Sequence, residues 1–108
     1  MKALQLRTDG SVRSIDIENT LEALQVAVGG YIETVTLAPG CVMIVDEEGL
    51  LKGKPENAKA SEVSCMHIVG DALLCGVEED EFADLPSHII GLLEGMFGIT
   101  GEPEGRTS

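Results

Sequence analysis

Aromatic residues and positive charges are both scarce in this chain of 108 residues. It has no tryptophan, one tyrosine and two phenylalanines, and its seven lysines and arginines stand against 19 aspartates and glutamates. Stacking of bases on aromatic rings is therefore a weak basis for nucleic-acid recognition. The net charge of −12 repels a phosphate backbone, so we expect no direct binding to DNA.

Long apolar runs are also missing, and we expect no leader sequence. No apolar run approaches the roughly 18 residues that a membrane-spanning helix needs. The opening segment MKALQLRTDG has a lysine but lacks the apolar core of a signal peptide. We therefore expect a cytoplasmic protein (the host cell cytoplasm, if a phage encodes it) with no membrane partner.

Spacings typical of metal sites are absent as well. The three cysteines, Cys41, Cys65 and Cys75, are an odd number in apolar surroundings and form no Cys-x-x-Cys pair. Cys65 and His67 would share one face of a strand, but Cys-x-His is a poor zinc spacing. We expect reduced, buried thiols, no metal and no cofactor.

Motifs for catalysis are equally few. The chain has two histidines, His67 and His88, and no G-x-S-x-G nucleophile elbow. The acids of the segment EEDEF are contiguous, so they point in several directions, whereas paired catalytic carboxylates need a shared cleft. The sequence therefore predicts a protein that is not an enzyme.

The apolar spacing predicts an α+β domain with a small, mainly antiparallel sheet of five to six strands and two helices. The predicted order is β-β-α-β-β-loop-β-β-α. The domain is expected to span residues 1–98 and to be followed by a flexible C-terminal tail over residues 99–108. The segments that read as strands are KALQLRT, VRSIDI, YIETVTL, CVMIVD, CMHIVG and DALLCGV, and the second helix is LPSHIIGLLEGMFG, ended by Gly98.

The first helix is predicted between Asn19 and a pair of glycines. Asn19 is a good N-cap with Glu22 at the capping-box spacing, and Gly29 is suited to the left-handed cap. A pair of glycines can also hold a phosphate, but phosphate loops precede a helix, where the backbone amides point at the anion. Here the glycines follow the helix, so Gly29 and Gly30 are interpreted as a structural stop.

A lysine-bearing segment over residues 49–63 is predicted to be an irregular loop, with a short strand at Leu50–Lys52. Three of the chain's seven basic residues lie in it, and backbone amides beside ammonium groups suit a phosphate or nucleotide. The competing interpretation is a solvated loop with no ligand. The candidate ligand-binding residues are Lys52, Gly53, Lys54, Asn57 and Lys59.

Negative charge is concentrated in the C-terminal half. Residues 60–108 carry ten acidic groups and one basic group, whereas residues 1–59 carry nine and six. Such a surface can imitate a run of DNA phosphates and attract a cationic protein, although plain solubility explains it equally simply. The candidate partner-binding residues lie in a predicted acidic connector and are Glu78, Glu79, Asp80, Glu81 and Asp84, with further acids at Glu94, Glu102 and Glu104.

Two blocks of the sequence, TLEALQ…VGGYIE and EEG…G.P.N, are similar to a known family. Together with MKALQL and IVGDALLCG they resemble a domain-of-unknown-function family of small proteins from phages, plasmids and other mobile elements, over about residues 1–97. The family usually has arginine after the loop asparagine, whereas here Asn57 is followed by Ala58 and then Lys59. The resemblance implies a setting among accessory genes of mobile DNA, many of which counter host defence.

Three hypotheses about function follow. The leading one is a non-enzymatic phage or mobile-element accessory protein that blocks a host defence protein through its acidic surface. The second is a sponge that sequesters a nucleotide immune signal through the Lys52–Lys59 loop. The third is an accessory protein of unknown role. A homo-oligomer is also open, because Gly91 and Gly95 leave a smooth strip on the last helix and a small sheet has open edges.

Overall fold

The computed structural model describes residues 1–97, and these form an α+β domain built on one antiparallel sheet of six strands. The fold class predicted from the sequence is confirmed. None of the helices in this range is long and apolar enough to cross a bilayer. The elements are β1 (Lys2–Leu6), β2 (Val12–Asp16), α1 (Leu21–Val28), β3 (Ile32–Ala38), β4 (Cys41–Asp46), α2 (Ala58–Ser64), β5 (Ala72–Glu78), β6 (Glu81–Ala83) and α3 (Ser87–Phe97).

The strands lie in the order β2-β1-β5-β4-β3, and β6 pairs with the second half of β5. Every residue of β4 is buried, as its continuous apolar sequence predicts for a central strand. The β1–β2 hairpin turns at Asp9, whose carboxylate accepts hydrogen bonds from the amide and hydroxyl of Ser11. Among the described strands, β2 and β3 each have one neighbour and form the edges of the sheet.

Side chains alternate between the two faces of each strand, and both faces of this sheet carry apolar side chains. Helices therefore cover both faces. On one face α1 packs Leu24 and Val28 against β4 and β5. On the other, α2 and α3 contribute Ala60 and Leu93 to a second cluster. The buried side chains of the α1 face are Ala3, Leu24, Val28, Val42, Ile44, Leu73 and Cys75, and those opposite are Leu4, Leu6, Val12, Cys41, Met43, Val45, Ala60, Ile68, Ala72, Leu74, Leu85 and Leu93.

The start of α1 differs from the prediction by one residue. Thr20 is the N-cap, and its hydroxyl oxygen accepts from the amide of Ala23 at 3.2 Å. The amide side chain of Asn19 instead donates to the carbonyl oxygen of Phe82 at 2.9 Å, so it ties the helix entrance to β6. The end is as predicted, since Gly29 has φ +83° and its N–H donates to the carbonyl of Gln25.

Three predictions for residues 49–83 were wrong. The predicted loop contains α2, and Leu50–Lys52 forms turns rather than a strand. The segment CMHIVG is not a strand, because Cys65 takes the left-handed conformation that ends α2 and only Val69 forms an isolated bridge, to Glu56. The acidic connector is a tight hairpin whose second strand is β6. The predicted element order survives because β6 takes the place of the missing strand.

The last helix is less amphipathic than its sequence indicates. Leu93 is buried and Ile89, Ile90 and Phe97 are half-buried, whereas Leu92 and Met96 are mostly exposed. Gly91 and Gly95 face open space as far as residues 1–97 are concerned, so the smooth strip that they form is not covered by this part of the domain. The predicted helix end at Gly98, the tail over residues 99–108 and the acids Glu102 and Glu104 lie outside the described residues.

Candidate functional site

Two lysines of the predicted ligand loop converge on one buried carboxylate at the end of α1. Asp46, the last residue of β4, has a fully buried side chain, and its Oδ2 lies 2.9 Å from Lys52 Nζ and 2.7 Å from Lys54 Nζ. The same ammonium groups donate to the carbonyl oxygens of Gly29 at 2.9 Å and Val28 at 2.7 Å. The negative end of the helix dipole thus receives two positive charges. We call these three side chains the Asp46 cluster.

The electrostatics of the Asp46 cluster favour the ionised carboxylate. Burial of Asp46 opposes ionisation, but hydrogen bonds from Lys54, from the amide of Glu48 and from Lys52 outweigh it and lower its pKa to about 2. Opposite charges and donors directed at a carboxylate stabilise its charged form. The cluster is therefore a closed structural assembly in which both lysines already have an anionic partner.

The double glycine provides the space that this cluster occupies. A Cβ atom on Gly30 would lie 2.5 Å from both Asp46 Oδ1 and Lys52 Nζ, and one on Gly29 would lie 2.8 Å from Lys54 Nζ. Glycine is the residue that permits such close approach of another group to the backbone. Gly29 and Gly30 and the loop that carries Lys52 and Lys54, which we call the lysine loop, are distant in sequence. In the fold they form one structural unit.

The other predicted ligand residues have separate structural contacts. Lys59, on α2, donates to the carbonyl of Gly10 at 2.5 Å and lies 5.5 Å from the ring centre of Phe97. Asn57 is fully buried and is the N-cap of α2, and its amide group also donates to the carbonyls of Leu6 and Gly70. Gly53 has φ +71° in a turn and open space around its Cα. These residues do not converge on a common anion site with Lys52 and Lys54.

The predicted acidic residues are brought together by the β5–β6 hairpin. Glu78 and Glu81 pair directly across its two strands, and Glu79 and Asp80 form the loop between them. Both loop residues have positive φ, +51° and +67°. This is the backbone of a type I′ turn, for which asparagine and glycine are the usual residues. No ion pair within residues 1–97 involves these four side chains, which we call the acidic hairpin.

Asp84, the fifth predicted residue, has a different position. Its Oδ1 accepts from the backbone amide of Lys2 at 2.8 Å, so it links the end of β6 to the start of β1. Together with Glu78 and His88 it lines a small pocket of about 200 Å³ on the α3 side of the sheet. Asp84 therefore belongs to the foot of the acidic hairpin rather than to its tip.

A cleft of about 550 Å³, which no sequence pattern predicts, lies beside the acidic hairpin. Val42, Val77 and Phe82 belong to the apolar cluster of the α1 face, and Asp80 and Glu81 line the cleft at the hairpin. Ligand pockets in proteins typically enclose roughly 300–1,000 Å³, so the cleft has the size of a binding site. Asn19 and Thr34 complete its lining.

The comparisons with known proteins place the chain in a family. The model of the family described as Domain of unknown function (DUF3846) matches residues 1–98. The chain belongs to this family. Searches of curated proteins and of solved structures each found no match. In this DUF3846 chain the block VGGYIE contacts the Asp46 cluster through Gly29 and Gly30. The block EEG…G.P.N supplies the Glu48 amide that donates to Asp46 and the buried cap Asn57, so both blocks have a structural role.

The thiols of the DUF3846 chain divide into two classes. Cys41 and Cys75 are buried as predicted, and burial raises both pKa values, that of Cys75 to about 11 with a further contribution from Cys41. Cys65 is exposed, so its predicted burial was wrong. His67 lies 3.5 Å from Glu56 rather than beside a thiol group. Within residues 1–97 no group of three or more His, Cys, Asp or Glu side chains is arranged to hold a metal ion.

Proposed function

We propose that this DUF3846 protein is a non-enzymatic binding protein that engages and blocks a basic protein through its acidic hairpin. The observation that carries the proposal is that two destabilising features, strained backbone angles and a pair of facing like charges, occur together in the acidic hairpin. Glu79 and Asp80 hold the positive φ angles that favour glycine, and Glu78 faces Glu81 across the strands. Like charges in direct cross-strand register destabilise a sheet, and non-glycine residues at positive φ cost free energy. Departures of this kind are typical of sites retained for function.

The distribution of charge supports the same proposal. Lys52 and Lys54 neutralise Asp46, and Lys59 caps a carbonyl, so these cations are occupied in holding the fold together. The acidic hairpin has no such partner among residues 1–97. An uncompensated charge at a protruding tip raises the association rate with a partner of opposite sign.

The neighbouring cleft adds a surface that suits a basic side chain. Lysine and arginine carry long aliphatic stems that lie on apolar surface while the charged group stays near an acid. Val42, Val77 and Phe82 offer the apolar surface, and Asp80 and Glu81 lie at the same cleft. A partner that normally holds DNA presents such side chains in number. The biological part of the proposal is that the blocked protein is a host defence protein and that the chain serves a phage or another mobile element.

A displacement experiment tests the proposed function. Proteins of a bacterial lysate are bound to DNA–cellulose, and the DUF3846 protein is added at moderate salt. We expect it to release a small set of DNA-binding proteins, which mass spectrometry identifies. The variant Glu78→Lys/Glu79→Lys/Glu81→Lys is expected to release none of them, because it reverses the charge of the hairpin.

The matched control is Glu22→Lys/Glu62→Lys/Glu94→Lys, which makes the same change in net charge at exposed positions outside the hairpin. It should release the same proteins as the unaltered chain. Equal loss in both triple variants would show a general effect of net charge and overturn the proposal, as would the absence of any released protein.

The nucleotide sponge stays a prediction with less support, since the ammonium groups of Lys52 and Lys54 already contact Asp46. A thermal-shift screen against linear and cyclic nucleotides tests it directly, because a ligand that binds only the folded state raises the melting temperature. Stabilisation by a nucleotide that Lys52→Gln/Lys54→Gln abolishes would favour the sponge over the acidic hairpin.

A further inference from the structure

The edge strand β3 lies beside a second, separate groove on the opposite face of the sheet from α1. Among the described strands, β3 pairs only with β4, so its outer backbone groups face away from the sheet. Its register with β4 is regular from Ile32 to Thr36, and the irregularity lies beyond Thr36. Five consecutive residues are therefore available to pair with an added strand, which is a common mode of peptide recognition.

Apolar side chains are unusually exposed around this edge. Leu50 and Met66 line the groove together with Val35 of β3, and they are 68% and 52% exposed. Tyr31 and Leu51, which adjoin β3 and Leu50 in sequence, are also largely exposed. The groove encloses about 220 Å³, below the roughly 300 Å³ at which small-molecule pockets begin. Its size suits side chains of a docked strand rather than a free ligand.

The charge of the groove identifies the chemistry of its occupant. Glu33 and Glu47 both line it, both are exposed, and neither forms an ion pair within residues 1–97. Glu33 and Val35 are two apart and share one face of β3. An added strand therefore meets an acidic position and an apolar position in succession on that face.

We propose that β3 receives an extended segment of a partner protein in which a basic and an apolar residue, two apart, face the groove. Backbone hydrogen bonds to β3 supply affinity, and the groove supplies selectivity. A second copy of this chain fits less well, because it would join two molecules of charge −12 at a groove that carries the acidic side chains of Glu33 and Glu47 on each copy. The surface is distinct from the acidic hairpin, and the inference does not depend on the proposed function.

The test uses the full chain and a synthetic peptide of about ten residues that repeats lysine–threonine–valine–threonine, which places lysine and valine two apart on one face of an extended strand. Affinity is measured by fluorescence anisotropy, and amide hydrogen exchange locates the contact. We expect slower exchange of backbone amides within residues 32–36. A peptide of the same charge with prolines in place of one valine and the threonine after it lacks N–H groups on both edges of the strand and should bind about tenfold more weakly.

Paired variants isolate the groove. Leu50→Ser/Met66→Ser should weaken binding of the lysine–threonine–valine–threonine peptide about tenfold. The control Leu92→Ser/Met96→Ser changes the same residue types at similar exposure, 64% and 58%, on α3, and should leave affinity unchanged. Equal affinity for the proline peptide, equal effects of the two pairs, or protection confined to the acidic hairpin would each overturn the inference. The inference would also be overturned if the chain sedimented as a dimer and the amides of residues 32–36 exchanged slowly without peptide.

Discussion

Lys54 Nζ lies 2.7 Å from Asp46 Oδ2 and joins the lysine loop to the end of the central strand β4. The same nitrogen reaches the carbonyl of Val28, so one side chain connects β4, the lysine loop and α1. Ammonium groups at a helix C-terminus stabilise its free carbonyls. The predicted ligand loop is therefore a place where three elements of the fold are held together. Substitutions in it should change the stability of the protein.

Replacement of Asp46 by asparagine should destabilise the fold. Asp46→Asn keeps the shape of the side chain but leaves Lys52 and Lys54 without their counter-charge, and we expect a loss of about 2 kcal/mol in the free energy of unfolding. Urea unfolding followed by circular dichroism measures it. The control Glu47→Gln removes one charge at the adjacent exposed position and should change stability little. Similar losses in both variants would contradict the role assigned to the Asp46 cluster.

The same carboxylate should make stability depend on pH in the acidic range. Its pKa is about 2 in the folded protein against an ordinary value of 3.8, so the folded state favours the ionised form. The resulting stabilisation is fully present above pH 4 and is lost as the pH falls from about 4 to about 2. Melting temperatures of the unaltered chain and of Asp46→Asn should therefore converge across this window. A constant difference down to pH 2 would show that the charge of Asp46 is not the cause.

Alanine should have opposite effects at two glycines. In Gly30→Ala the new Cβ meets Asp46 Oδ1 and Lys52 Nζ at 2.5 Å, so the cluster must open, and we expect a loss of about 1–2 kcal/mol. In Gly91→Ala the new Cβ on α3 meets no other atom of residues 1–97 within 4 Å, and the gain in helix propensity should stabilise the fold by about 0.5–1 kcal/mol. Thermal unfolding compares the two. Destabilisation by Gly91→Ala would show that this strip of α3 contacts something in solution.

Much of the fold could be predicted because its signals are local. The turn at Asp9, the alternation in β1 and β2 and the apolar run of β4 each specify their element within a few residues. Gly29 follows the last turn of α1, where a left-handed residue is needed, so the helix end could also be predicted. The antiparallel sheet follows from such short, turn-linked strands.

The elements around α2 could not be predicted from local pattern. The helix has seven residues, of which only Ala60 is buried, so it shows no apolar periodicity. Its start depends on Asn57, whose side-chain amide donates to the carbonyls of Leu6 and Gly70, 51 and 13 residues away in sequence. These contacts form only when the chain folds. Apolar residues after Cys65 resembled a strand, yet the left-handed conformation of Cys65 turns the chain away. Tertiary contacts override propensity in such short segments.

The candidate sites, too, could be predicted only where their residues are close together in sequence. Sequence shows that lysines cluster but not that a buried carboxylate lies within 3 Å of two of them, because Asp46 reads as part of a surface turn. The four acidic residues 78–81 could be grouped from sequence because they are contiguous, whereas the separate position of Asp84 could not be predicted. No sequence pattern indicates the cleft or the β3 groove, because both are lined by residues from several strands and loops.

Thiol reactivity should distinguish the three cysteines. Burial raises the pKa values of Cys41 and Cys75, and the reactive form of cysteine is the thiolate. We expect one thiol, Cys65, to react rapidly with an aromatic disulfide reagent in the native protein and the other two to react only on unfolding. Cys65→Ser should abolish the fast phase. A second fast thiol in that variant would show that the sheet opens locally around Cys41 or Cys75.

The loop of the acidic hairpin offers the sharpest separation of stability from binding. Glu79→Asn/Asp80→Gly gives both positions the residues that suit their positive φ, so we expect a gain of about 1 kcal/mol in unfolding free energy. The same variant removes two acidic charges from the tip and should release less protein from DNA–cellulose. Glu62→Gln/Glu94→Gln removes two acids from α2 and α3 and should leave release unchanged. Higher stability with undiminished release would mean that Glu79 and Asp80 are not retained for binding. Higher stability together with weaker release is the trade-off expected of a functional site.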